Sequence, residues 1–166
     1  MRSFAAFGVV VSFALSACGP SGPPPSAPSD KLAHVVGFSL PSDEGALVTV
    51  PVPNARTTVL DFFAPTCIPC KDKVPALHAK HDALALRSAK IVLVAVLADG
   101  ESTEDAKRAL ASWGVHAPFL VDRDGTGKRE AGVMTLPTTL VLDAAGTLKW
   151  VAPPNASADD VVAAVP

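Results

Sequence analysis

Apolar and polar positions along this chain predict one packed α/β region behind a long leader. Phe4 to Leu15 is an apolar run preceded by Arg2, and residues 19–29 then hold five prolines in eleven positions with almost no apolar side chain. Core-type patterning begins near Val35. Phe38-Ser39-Leu40, the turn-prone run from Pro41 to Gly45, and Leu47 to Val50 predict a hairpin. Thr57 to Phe63 and Ile91 to Leu97 are nearly unbroken β-branched and apolar runs, as expected of strands covered on both faces. Ile68 to Arg87 between them predicts a helix, and Thr103 to Trp113 predicts another with Ser102 as its cap. Phe119 to Val121 predicts a short strand that ends in the turn Asp122-Arg123-Asp124-Gly125. Thr138 to Leu142 and Leu148 to Val151, joined by Ala144-Ala145-Gly146, predict a second hairpin. Ser157 with Asp160 three residues later opens a last short helix, a capping-box pattern with Asp in place of Glu. Two buried strands linked through a helix imply a parallel pair with a right-handed crossover, to which the late hairpin adds antiparallel strands. The expected fold class is α/β, a mixed central sheet with helices on both faces and an N-terminal β-hairpin extension.

The leader carries its own chemistry. Arg2 supplies a positive start, Phe4 to Leu15 an apolar segment, and Leu15-Ser16-Ala17-Cys18 a close with small residues before a cysteine. About a dozen apolar residues fall short of the roughly 20 that a membrane-spanning helix needs. The tetrapeptide resembles the bacterial lipoprotein box, which implies cleavage before Cys18 and lipidation of its thiol. The division that follows is a signal peptide over residues 1–17, a lipidated Cys18 with a proline-rich tether over 18–34, and one domain over 35–166. Proline-rich segments stay extended and bury no core, so the tether acts as a spacer above the membrane.

Composition then excludes some partners. The chain holds 14 Lys and Arg against 16 Asp and Glu, and loss of Arg2 with the leader puts the mature charge near −3. No basic cluster is present, so nucleic-acid binding has no electrostatic support.

With Cys18 assigned to lipid, the other two of three cysteines, Cys67 and Cys70, can pair only with each other. The loop they close is tiny, and such a bridge contributes little chain-entropy stabilisation, so a structural staple is the weaker reading. Two sulfurs spaced as Cys67-Ile68-Pro69-Cys70, after a strand and at the start of a helix, suit alternation between dithiol and disulfide. A thiolate, not a thiol, attacks a disulfide, and a helix N-terminus favours it. Cys67 is therefore expected to be the nucleophile and Cys70, one turn further on, the resolving thiol, with Pro69 in the first helical turn where its missing N–H costs nothing. Lys71 and Lys73 either add positive charge nearby or form a solvated helix face. Asp61, six residues before Cys67 inside Val59-Leu60-Asp61-Phe62-Phe63, is costly to bury ionised, so burial would raise its pKa; at a strand edge it would simply face solvent.

The stretch from Val59 to Leu77, the element Leu136-Pro137-Thr138 and the entry Phe38-Ser39-Leu40-Pro41 resemble the TlpA/ResA-type thioredoxin-like thiol–disulfide oxidoreductases. The resemblance runs from about Val35 to the C-terminus. It implies a thioredoxin fold, an extracytoplasmic location and attachment to a membrane. It further implies that Pro137 is cis and lies against the cysteine pair, with Leu136 facing substrate. Thr66, Ile68 and Pro69 complete the substrate-facing surface. An acid at the position of Asp61 lies beneath the disulfide in thioredoxins and relays a proton to or from the second cysteine. Pro75 matches a proline that bends the active-site helix. One departure stands out, because the family usually places tryptophan before the first cysteine and this chain has Pro65-Thr66.

Two function classes follow. The first is a membrane-anchored enzyme that reduces disulfides of exported proteins, for example in cytochrome c maturation. It acts as a monomer without a cofactor and is recharged by a thiol oxidoreductase in the membrane. The second is a thioredoxin-fold metallochaperone with Cu(I) on the same two soft sulfurs, although Met134 is the one methionine outside the leader. A zinc reading of Cys67, Cys70, His78 and His81 fails on distance. Eight residues of helix set Cys70 about 12 Å from His78, whereas zinc ligands lie within roughly 2.3 Å of one point. His81 shares a stripe with Val74, Leu77 and Leu84, which predicts a packed or boundary position. Asp122 and Asp124 start like a calcium loop, but the twelfth position is Val133, so a turn is expected.

Overall fold

The computed structural model describes residues 34–166. The leader, Cys18 and most of the tether lie outside the described residues. Among the described residues no helix is long and apolar enough to cross a membrane.

Strands β1 (Phe38–Pro41) and β2 (Leu47–Val50) pair antiparallel as the expected hairpin, with Phe38 opposite Val50 and Pro41 opposite Leu47. The central strand is β3 (Thr57–Phe63), buried at all seven positions. On one side it pairs parallel with β4 (Ala89–Val96), which pairs parallel with β5 (Phe119–Asp122). On its other side it pairs antiparallel with β6 (Thr138–Asp143), which turns back into β7 (Leu148–Val151). The sheet order is β5-β4-β3-β6-β7.

Side-chain alternation along β3 divides the core. Leu60 and Phe62 face a cluster with Phe38, Leu40, Val50 and Val133, so the hairpin and the segment before β6 cover that face. Val59 and Phe63 face the other way, against Cys70, Val74, Leu77, Leu110 and Val161. That second face is covered by α1 (Cys70–His78), α2 (His81–Leu86), α3 (Thr103–Ser112) and α5 (Ala158–Ala164). Ser102 and Ser157 each cap their helix with a full capping box, to Asp105 and Asp160.

Three expectations are corrected. The predicted single helix from Ile68 to Arg87 starts two residues later, at Cys70, and is broken at Ala79 and Lys80. There Lys80 N–H donates to Leu77 O at 2.9 Å, an i to i−3 bond that tightens the turn before α2 begins. His81 opens α2 with 64% of its side chain exposed, so it is neither packed nor at a boundary. Beyond the turn at Gly125 lies a helix absent from the sequence reading, α4 (Thr126–Glu130). It is anchored by Asp122, fully buried at the end of β5, whose Oδ1 accepts from Gly127 N at 3.1 Å and whose Oδ2 accepts from Lys128 N at 2.8 Å. A five-residue helix lacks periodicity to read, and its anchor comes from the strand before it.

The turn between β6 and β7 holds the start of the domain. Val36 N–H donates to Gly146 O at 2.9 Å, and Gly146 sits at φ +84° with Val36 O only 2.5 Å from where a Cβ would be. Left-handed backbone costs a non-glycine residue about 1–3 kcal/mol, and the blocking atom is backbone. Gly146→Ala is therefore expected to lower unfolding stability by at least that amount in urea titration, and an unchanged midpoint would contradict the packing described.

Candidate active site

The parallel order of β3 and β4 brings their C-terminal ends to one rim of the sheet, and antiparallel β6 begins at that same rim. The loops at this rim carry most of the residues singled out from the sequence.

After β3 the chain turns through residues 64–69. Cys67 N–H donates to Ala64 O at 3.1 Å, Cys70 N–H to Cys67 O at 3.2 Å and Lys71 N–H to Ile68 O at 3.2 Å. Helix α1 has Pro69 as its N-cap and Cys70 as its first residue. The expectation that Cys67 opens the helix and Pro69 lies in its first turn is thus shifted by about one turn, because successive tight turns precede the helical ladder. Cys67 and Cys70 form a disulfide with Cα atoms 5.3 Å apart. Cys70 is fully buried, whereas Cys67 is partly exposed and Ile68 is 85% exposed. One sulfur faces the solvent side and the other the core.

Asp61 lies on the face of β3 that carries Val59 and Phe63, the face covered by α1. It is 1% exposed. Thr139, its register partner on β6, donates from Oγ1 to Asp61 Oδ1 at 2.8 Å, and Oδ2 is buried with no hydrogen-bond partner. Burial pushes its pKa up to about 7, against smaller opposing effects of the Thr139 hydrogen bond and of Lys73. The position is central in the sheet, not at an edge.

Lys71 is exposed, but Lys73 is half-buried. Its ammonium donates to Pro154 O and, at 3.3 Å, to Ala156 O, so it ties α1 to the segment before α5. Leu136–Pro137 is a cis peptide, and Leu136 packs on the apolar cluster that also includes Cys67 and Cys70. Pro69 is exposed beside Ile68, and Pro75 sits inside α1.

Thr66, the residue before Cys67, is exposed and donates to Glu101 Oε1 at 3.0 Å. Glu101 Oε2 accepts from Ala98 N at 2.8 Å, and its carbonyl accepts from Arg123 at 3.2 Å. The residue before Cys67 is therefore tied to the loop between β4 and α3. Glu101, Thr139 and the bonds of Lys73 were missed in the sequence. Their partners lie 35, 78 and 81 or more residues away, and no local pattern marks such contacts. His78 and the cysteine pair stand at opposite ends of α1, and among the described residues no group of three or more His, Cys, Asp or Glu is arranged to hold a metal ion.

The AhpC/TSA family pattern matches residues 33–151. The chain belongs to that family. Sporulation thiol-disulfide oxidoreductase A of Bacillus subtilis (strain 168) is 24% identical over 112 residues, 68% of this chain and 67% of that protein. Thioredoxin-like protein YneN of the same organism is 30% identical over 114 residues, 68% of this chain and 65% of that protein. The crystal structure of StoA from Bacillus subtilis superposes with a TM-score of 0.68 at 22% identity, covering 81% of this chain and 99% of the other. The fold is that of thioredoxin. With relatives named as thiol–disulfide oxidoreductases and the Cys67–Cys70 pair in place, the chain is a thiol–disulfide oxidoreductase.

Asp61 gives the folded protein a pH dependence. Its carboxyl ordinarily titrates near 3.8, whereas here it titrates at about 7. Between those values the folded chain keeps a proton that the unfolded chain has lost, so stability falls as pH rises towards 7 and is level above it, by up to about 4 kcal/mol. Asp61→Asn, which keeps the shape without the charge, should be more stable than the parent at pH 8 by a few kcal/mol, with the gap closing towards pH 4. Urea unfolding of the oxidised proteins at both pH values checks this.

Proposed function

We propose that this protein is an extracytoplasmic oxidoreductase, anchored by lipid at Cys18, that reduces disulfides of exported proteins with the Cys67–Cys70 pair. The observation that carries the reading is the asymmetry of the pair, a partly exposed Cys67 and a fully buried Cys70, on the face of β3 that also holds the buried Asp61 carboxyl. Reduction of a client needs one thiolate that can reach a foreign sulfur and a second that is kept from doing so. Cys67 attacks the client disulfide and becomes joined to one client sulfur. Cys70 then attacks Cys67, closes the internal disulfide and releases the client as a dithiol. Both steps are thiolate attacks, so Cys70 must first lose its proton. Asp61 is the base for that proton. It is on the same face as Cys70, it has an unpartnered oxygen, and its pKa of about 7 lets it hold or release a proton near neutrality.

Leu136 and cis-Pro137 offer the client backbone a partner beside the pair, and Thr66, Ile68 and Pro69 form the surface on which it rests. The spent disulfide is reduced by a thiol oxidoreductase of the membrane. The reading takes residues 1–17 as the signal peptide, 18–34 as the tether and 35–166 as the single domain, near whose start Val36 is buried in the core. Clients in cytochrome c maturation fit a protein of this kind that works outside the cytoplasm.

Insulin-disulfide turnover should fall at least roughly 100-fold in Cys67→Ser and in Cys70→Ser, with the double variant no worse than either, because the two sulfurs act as a unit. Cys70→Ser should accumulate a mixed disulfide with client through Cys67. Capture through Cys70 in Cys67→Ser instead would reverse the assigned roles. In cells, Cys18→Ser should move the protein from the membrane to the soluble fraction, and a membrane-bound variant without detergent-extractable lipid would remove the anchor from the proposal.

A further inference from the structure

The base assigned above is held by one neighbour. Around the Asp61 carboxyl, β4 contributes Leu93 as register partner, β6 contributes Thr139 and α1 contributes the charge of Lys73, while Cys70 and, in the turn before it, Cys67 pack on the same face of β3, in the cluster of Phe63. The one hydrogen bond that the carboxylate receives is from Thr139 Oγ1 to Oδ1, at 2.8 Å. Oδ2 is fully buried and receives none. The adjacent Thr138 points its hydroxyl elsewhere, to Thr135 O at 2.7 Å, so the two threonines do different work. Thr139 also lines a cavity of about 220 Å³ together with Lys73, Leu77, Pro137 and Ala156, whereas Asp61 does not reach it. The hydroxyl thus stands between the buried carboxylate and space that water can enter.

We propose that Thr139 is the positioning residue of the resolving step: by donating to Oδ1 it fixes Oδ2 as the oxygen that takes the Cys70 proton, and it stabilises the ionised carboxylate that this transfer requires. The proposal rests on Asp61 acting as the base. The Cys70 thiol gives its proton to Asp61 Oδ2, and the electron pair left on sulfur attacks the Cys67 sulfur of the mixed disulfide. The new Cys67–Cys70 bond forms as the bond from Cys67 to the client sulfur breaks, and the client sulfur leaves as thiolate with that bonding pair. Over the cycle the client gains two electrons and the protein dithiol loses them. Asp61 then hands its proton to water, for which the cavity that Thr139 lines offers space.

Removing the hydroxyl while keeping the shape should therefore move the pH at which Cys70 becomes reactive. A hydrogen bond to a charged group is worth enough to move a carboxyl by roughly one to two pH units. In Thr139→Val the mixed disulfide, preformed on Cys67 with a chromogenic client thiol, should resolve roughly ten-fold more slowly at pH 7 and recover at pH 9, read by stopped-flow release of the thiol. Thr139→Ser should restore both rate and profile. The Asp61 carboxyl carbon, followed by NMR in the oxidised protein, should titrate higher in Thr139→Val by the same interval, a readout independent of turnover. A slower rate with an unmoved pH midpoint would reduce Thr139 to a packing role and overturn the proposal. If Asp61→Asn slows resolution while Thr139→Val leaves it unchanged, Asp61 stays the base and only the role of Thr139 falls. If Asp61→Asn leaves the rate and its pH profile intact, both ideas fall together.

Discussion

A carboxyl group in the middle of a sheet, on the face covered by the helix that starts at Cys70 and with one oxygen unpartnered, is the constraint around which this structure is arranged. Among the described residues, strand β3 is the one strand with neighbours on both sides and all of its residues buried, so a side chain there has no direct contact with bulk water. Desolvation of that order disfavours the charged form and would be removed by any apolar replacement, which makes Asp61 costly as a structural residue. Its environment opposes the cost only in part. Thr139 gives one hydrogen bond, and Lys73 acts through charge while its donors are committed to Pro154 and Ala156. The balance leaves the group poised near neutrality. A full ion pair would have driven it to permanent ionisation, and a fully apolar surround would have kept it protonated at any working pH.

Topology explains why the same place also holds the sulfurs. Parallel pairing of β3 and β4 sends both chains out at one rim, while antiparallel β6 starts there, so the cysteine turn, the loop at Glu101 and the cis-Pro137 segment converge without any long loop. The turn that carries Cys67 is held by main-chain bonds to residues 64–69 and from outside by the Thr66–Glu101 contact. Accessibility then sorts the two sulfurs. Cys70, as first residue of α1, is directed inward with Val74 and Leu77, while Cys67 stays in the turn at the surface. A difference of three positions becomes a difference of exposure.

The parts legible in the sequence are those that local pattern encodes. Period-two and continuous apolar runs gave the hairpins and β3 to β5, hydroxyl and acid spacing gave the caps of α3 and α5, and the two-residue gap between cysteines gave the bridge. Boundaries slipped where local signals conflict. Ile68 to Arg87 is helix-compatible throughout, so nothing in its composition marks the tightened turn at Lys80 or the turns that delay α1 until Cys70. Short α4 was hidden because its anchor is the buried Asp122 carboxylate, which reads in sequence as an ordinary turn residue. Glu101, Thr139 and Lys73 could be found only from the fold, since each acts on a residue far away in the chain. Asp61 was visible because a lone acid in an apolar strand is itself a local anomaly.

The departure at Thr66 bears on how a client docks. Directly before Cys67 this chain places a small hydroxyl side chain, Thr66, and commits it to Glu101 at the surface. The apolar contact surface then has to come from other residues, and two large ones are conspicuous. Ile68, between the cysteines, and Met134, two residues ahead of Leu136, are each 85% exposed although both are apolar. Trp113 is used elsewhere, partly buried and edge-on to Phe63 at 5.9 Å against the cluster that contains Cys70. Aliphatic and thioether groups adapt to different shapes more readily than a fixed indole. A surface of this kind, beside a backbone edge at Leu136, suits recognition of an extended client segment by its main chain, with side-chain identity a lesser factor.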